Sequence, residues 1–367
     1  MAARPDPAER RFSGSYAPQD VTFLLKPVTL APVEVAAKEA LIQSGRRHYS
    51  EMLSAESPPG PEYLRLYHEA FARNGPRLAQ DIVDLAAALA ERAAGRPEMV
   101  IASLARAGTP IGVLLRRALI RLGLPSTHYS VSIIRDRGID REALRHIAAR
   151  HDPRDVVFVD GWTGKGTITT ELQASLADRP FGFEPFLAVV ADPAGCADLA
   201  PSDEDYLIPS GLLNAIVSGL VSRSVLNDEL VGPGDFHACV HYTHLAPQDL
   251  SRAFVDHVDA LMSPLKPRRI THDPARHAAR AASREARVLG LMEDLGLKDR
   301  NRIKPGVAEA TRALLRRLPD RLLIRDAADP DVAHLVHLAG ERGVPIGPLP
   351  VGNGYRAVAV IRTLGLD

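Results

Sequence analysis

The stretch Val-Val-Phe-Val-Asp-Gly-Trp-Thr-Gly-Lys-Gly-Thr over 156–167 gathers an acid, two threonines, a lysine and closely spaced glycines. Gly164 and Gly166 leave little side-chain cover over the backbone N–H groups of Thr163, Lys165 and Thr167. A helix starting near Thr167 would add its positive N-terminal end, so the chemistry suited to this stretch is anion binding, phosphate above all. Asp160 belongs at the carboxyl edge of a strand, where open α/β sheets take ligands. The positioning elements follow from the same residues: Val156 to Val159 are four apolar β-formers in a row, the mark of a buried parallel strand, and the glycine turn leads into a helix.

A P-loop fails here. The position that should hold its first glycine is Val159, and Lys165 is followed by Gly166 rather than Ser or Thr. Upstream, Met99 to Leu104 reads as a short buried strand, Ser103-Leu104-Ala105-Arg106-Ala107-Gly108-Thr109-Pro110 as a tight turn, and Ile111 to Leu122 as a helix. Ser126 to Ile134 is a further strand, followed by Arg135 and Arg137, and Arg141 to His151 is a helix. Phe186 to Ala191 is another buried strand, ending at Asp192, a candidate for a magnesium or substrate contact. Leu212 to Leu226 reads as a helix whose Asn214 and Arg223 could line a pocket or face solvent. Glu62 to Gly95 reads as two helices split near Asn74-Gly75-Pro76, and Pro32 to Leu53 as a helix ending in the polar run that holds Arg46, Arg47, His48 and Glu51. In Phe236 to His244 the alternation suggests a metal-free strand with His237, Cys239 and His241 on one face.

The chain has 367 residues, enough for two domains, with 45 basic and 45 acidic residues, so only a local patch could attract a nucleic acid or a membrane. Its 2 cysteines are too few for a disulfide framework, and no run approaches bilayer-spanning length. A soluble cytoplasmic protein with no membrane partner is expected, with a homodimer left open. The expected division is 1–95, an N-terminal extension and helical hood; 96–262, the α/β core; 263–302, a basic helical linker; and 303–367, a small α/β domain.

The Asp160 strand and the Thr163-Gly164-Lys165-Gly166-Thr167 loop resemble the signature of type I phosphoribosyltransferases, with Gly161 at the usual second acid and a loop one residue shorter. That resemblance implies a parallel sheet with flanking helices and a hood. It also implies transfer of a phosphoribosyl group from phosphoribosyl pyrophosphate to an unnamed acceptor. The loop would hold the 5-phosphate; Ser103, Arg106, Ala107, Gly108 and Thr109 would hold pyrophosphate; Arg106 and Asp160 would be catalytic. Mg²⁺ would ride on the substrate with help from Asp160 and Asp192, while Arg135, Arg137, Asp192, Asn214 and Arg223 would serve a mobile loop or the acceptor. The last segment is similar to Pelota and kink-turn-binding domains, which implies RNA contact through Gly306, Glu309, Arg312 and Arg316, with Ala308 at the usual Asn. Together the halves resemble the StiP-type family associated with tellurium-resistance and stress gene clusters. Two other classes stay in view: a nucleotide-sensing RNA-binding regulator without chemistry, and a cysteine protease using Cys196 or Cys239.

Overall fold

The computed structural model describes residues 12–270, 274–350, 352 and 354–364. The first part of the chain gives β1 (Thr22–Leu24), β2 (Lys26–Pro27), α1 (Val35–Gln43) and α2 (Pro61–Arg92). Next come β3 (Met99–Leu104), α3 (Gly108–Arg121), β4 (Ser126–Val131), β5 (Ile133–Ile134), β6 (Gly138–Ile139) and α4 (Arg141–Ala148). Then follow β7 (Val156–Trp162), α5 (Thr167–Ser175), β8 (Leu187–Ala191), β9 (Ala238–Cys239) and α6 (Ser251–Met262). The main sheet has the order β1-β4-β3-β7-β8, with every neighbouring pair parallel.

Period-two alternation explains why that sheet is buried on both sides. Ile101, Val157, Val159, Ala188 and Val190 enter one core, and Val100, Ala102, Phe158, Leu187 and Val189 enter the other. Side chains at the carboxyl ends of β7 and β8 therefore emerge together, with Asp160 in register with Val189.

Three expectations are corrected. Helix α2 runs unbroken through Pro76, because Leu78, Ile82, Leu85 and Leu89 are fully buried in the core and Asn74 Nδ2 donates to the Leu207 carbonyl and Asp331. Tertiary packing here outweighs the proline's local cost. The supposed helix over 212–226 is only a short turn at Ala215–Val217, since Gly219 (φ 77) and Leu220 (φ 57) take left-handed backbone that no helix continues through. The alternating strand at 236–244 shrinks to β9, which pairs with β2. The N-terminal extension supplies β1, an edge strand of the main sheet, as well as the wall formed by α1 and α2.

The second domain begins after α7 (Pro274–Asp294) and contains β10 (Ile303–Pro305), α8 (Val307–Arg316), β11 (Pro319–Ile324), α9 (Ala333–Glu341), β12 (Ile346–Pro348) and β13 (Ala357–Ile361). Its sheet has the order β10-β13-β11-β12, antiparallel except between β11 and β12. Asp205, from the first domain, accepts hydrogen bonds from the N–H groups of Val307 and Arg356, which fixes the start of α8 against the main sheet's edge.

Candidate functional site

Where β7 ends, the loop to α5 makes few internal bonds. Thr163 N–H donates to the Ala191 carbonyl, but no acceptor among the described residues takes the N–H groups of Gly164, Lys165, Gly166 or Thr167. Gly166 at φ 82 turns the chain into α5, and a Cβ on Gly164 would lie 2.8 Å from Glu309 Cγ. Glycine is thus needed once for backbone conformation and once for close approach of the second domain.

This loop forms one end of a cavity of about 650 Å³ between the two domains. Nine Lys and Arg side chains but only four Asp and Glu line it, among the described residues. Asp160 accepts from the Gly161 N–H, and burial pushes its carboxyl up to about 6 although Arg312 opposes the shift. Burial likewise lowers the Lys165 ammonium to about 7, and its Nζ donates to the Arg300 and Ile303 carbonyls. Arg135 also lines the cavity, with its guanidinium over the Tyr49 ring and bonded to Asp136 and Asn301. Asn214 and Arg223 reach the cavity from the irregular segment.

Other expected residues lie elsewhere. Ser103 Oγ bonds His128 Nε2 and Thr109 Oγ1 bonds Ser130 Oγ, so both hydroxyls are consumed in packing β3 and α3 against β4. A Cβ on Gly108 would lie 2.4 Å from the Val159 carbonyl oxygen, so this glycine serves close packing of α3 on β7. Arg106 and Ala107 border a minor pocket beside Arg316, where the buried Arg106 guanidinium holds Glu56 and the Val221 carbonyl. Arg137 is paired with Glu51 and the Leu226 carbonyl and does not line the cavity. Asp192 is buried, and its carboxylate accepts from Thr163 Oγ1 and from the N–H groups of Cys196 and Ala197. No cluster of three or more His, Cys, Asp or Glu side chains suited to a metal occurs among the described residues. Cys239 is wholly buried; His237 bonds Ser132 Oγ, and His241 packs edge-on against Phe12.

The expected RNA-contacting residues of α8 point inward. Arg312 lies 4.4 Å over the Trp162 ring, Glu309 faces Gly164, Arg316 binds Asn214, and Gly306 abuts Asp205. Several participants were missed in the sequence. Glu56 and Lys38 sit in stretches with no motif, and Arg284 belongs to a helix legible only as basic.

Cys196 occupies the turn after β8. Thr169 Oγ1 lies 3.3 Å from its Sγ, and the charge of the nearby Arg284 guanidinium favours its thiolate. Burial and the Asp192 carboxylate raise the thiol above its ordinary value, while Thr169 and Arg284 act against them. Arg284 also crowds Gly166, so one guanidinium lies against the amide loop and bears electrostatically on the thiol.

These features define a two-domain α/β protein with a cationic cleft and a partly exposed thiol at the carboxyl edge of its main sheet. Residues 14–259 match the family model described as tellurite-like stress resistance cysteine protease StiP, and residues 282–363 match the PELOTA RNA binding domain. The chain is 43% identical over 369 residues to the cysteine protease StiP of Acinetobacter baylyi (strain ATCC 33305 / BD413 / ADP1), covering 96% of this chain and 95% of that one. It belongs to the StiP family. Among solved structures, the hypoxanthine phosphoribosyltransferase of Trypanosoma cruzi with IMP aligns at 15% identity and TM-score 0.27 over 34% of this chain and 75% of that one. The enzyme of Leishmania tarentolae with GMP aligns at 12% and 0.27 over 34% and 78%. Likeness at that level carries no argument about activity. The expectation of phosphoribosyl transfer, with its pyrophosphate donor and magnesium, is therefore corrected: family and full-length relative alike bear the name of a cysteine protease. Among the described residues, no helix is long and apolar enough to cross a membrane.

Proposed function

We propose that this protein is a cysteine-dependent peptidase with Cys196 as its nucleophile. The observation that carries the choice of thiol is the Thr169 hydroxyl on its sulfur, with the Arg284 guanidinium near enough to favour the thiolate. A cation and a helix's first turn beside a partly exposed thiol act toward the thiolate, against the burial and the Asp192 charge that hold it above its ordinary value. Cys239 has burial alone, which drives its thiol far up.

In the reaction, the Cys196 thiol loses its proton and the sulfur adds to the carbonyl carbon of a peptide bond. The amine leaves with a proton, and water hydrolyses the thioester to a carboxylic acid, restoring the thiol. The sulfur's neighbours are a hydroxyl, a guanidinium and a carboxylate, with no imidazole hydrogen-bonded to it among the described side chains. The arrangement thus differs from a Cys–His dyad. The test is hydrolysis of a mixed peptide library by the wild type, Cys196→Ser and Cys239→Ser. Loss in the first variant alone supports the reading; no wild-type hydrolysis, or full activity in Cys196→Ser, overturns it.

RNA binding by the second domain is a separate reading, favoured by the family match over 282–363. The face of α8 that carries Glu309 and Arg312 is packed on the first domain, so contact through that helix requires the domains to part.

A further inference from the structure

The cleft holds a second cationic locus, distinct from the amide loop and from Cys196. Lys38 is buried at 4% exposure and lines the cavity, yet no acceptor among the described residues takes its ammonium. Arg223 spends one terminal nitrogen on the Tyr49 and Met52 carbonyls while its other, Nη1, is buried without a partner. Arg316, from α8 of the second domain, binds Asn214 and leaves Nε buried without a partner. Nearby acids do not balance these charges: Glu56 is bound by Arg106, and Glu39 is held by Arg317.

Burial and mutual repulsion lower Lys38 to about 8 and Arg223 to about 10, as expected where buried cations lack a counter-ion. Unpaired buried donors are costly, and so many converging on one cavity call for an anion. The loop end supplies another such set, the unpaired N–H groups of residues 164–167 at the start of α5. Trp162 and Tyr49 line the space as well. Its volume, about 650 Å³, lies within the range of small-molecule sites.

We propose that this interdomain cleft binds a small phosphorylated ligand of the nucleotide class carrying two separated anionic groups. One group takes the N–H groups of residues 164–167, and the other takes Lys38, Arg223 and Arg316. Because Lys38 comes from the N-terminal extension and Arg316 from the second domain, the locus is complete only when the domains are docked. The Pelota-type helix thereby works as the closing wall of a small-molecule site.

The test is calorimetric titration of the full chain with adenosine 3′,5′-bisphosphate and with adenosine 5′-monophosphate. The bisphosphate should bind about tenfold tighter or better, as expected for added charge-assisted hydrogen bonds. In Lys38→Gln and in Arg223→Gln the advantage should vanish while monophosphate binding persists. The distant Arg141→Gln should keep the contrast, and near-UV circular dichroism checks each fold. If Arg223→Gln fails to fold, Lys38→Gln alone decides. Equal wild-type affinities, binding of neither nucleotide, an advantage retained in Lys38→Gln, or uptake of a single-stranded RNA that neither nucleotide displaces would each overturn the proposal.

Discussion

The guanidinium of Arg312 stacks 4.4 Å from the ring of Trp162, joining helix α8 of the second domain to the last residue of the strand that carries Asp160. Arg312 also stands 3.6 Å from Glu309 and is the cation that moderates the Asp160 shift. One side chain thus couples domain docking to the electrostatics of the cleft.

Arg312→Ala should therefore weaken docking by about 1–2 kcal/mol, the scale of a partly buried cation–π contact with its ion pair. Limited proteolysis within 263–302 should become faster while each domain keeps its own melting transition. An unchanged cleavage rate would show that the stacking does not hold the domains together.

The Asp160 carboxyl, raised to about 6 from 3.8, binds protons more tightly in the folded chain than in the unfolded one. Its contribution is fully present below about pH 4 and is lost as pH rises through 6. Asp160→Asn should then gain about 1–3 kcal/mol over the wild type at pH 7 and nothing at pH 4, read by urea unfolding. His128, lowered to about 4 by burial, gives a slope of opposite sign, but it is common to both proteins and cancels in the difference. An equal gain at both pH values would contradict the assignment.

Asp192 ties together Thr163 and the backbone beneath Cys196 through three hydrogen bonds. Asp192→Ala should cost about 2–4 kcal/mol by leaving those donors unpaired. The loss in melting temperature should be the same with and without added Mg²⁺. A loss confined to Mg²⁺-containing buffer would return Asp192 to the role of metal ligand.

Much of the framework was legible in the sequence. The four-residue apolar run before Asp160 suited a buried strand and the glycine-rich turn led into a helix, so β7, its loop and α5 were read nearly to the residue. Helix α2 was not, since Asn74-Gly75-Pro76 is a local stop signal and only burial of the flanking residues overrides it. The direction of α8 was also hidden. A face bearing Glu309, Arg312 and Arg316 has the same composition whether it meets solvent, RNA or another domain. Cys196 carried no local motif at all; its cation arrives from Arg284, nearly ninety positions further along the chain.

Arg284 should matter to the thiol before any substrate is present. Alkylation of native protein by iodoacetamide, mapped by mass spectrometry, should label Cys196 slowly and leave Cys239 untouched until unfolding. Arg284→Ala should slow the Cys196 reaction about two- to tenfold by withdrawing a group that favours the thiolate. An unchanged rate would separate Arg284 from the chemistry of the sulfur.

The most direct measurement is covalent capture with a peptidyl chloromethyl ketone library, read by intact mass and peptide mapping. The account predicts one adduct, on Cys196, formed faster than with a chloromethyl ketone that lacks the peptide, and abolished by Cys196→Ser. Peptide-dependent labelling at any other residue, or labelling of Cys196 no faster than by the bare reagent, would contradict the assignment of Cys196 as the peptidase nucleophile.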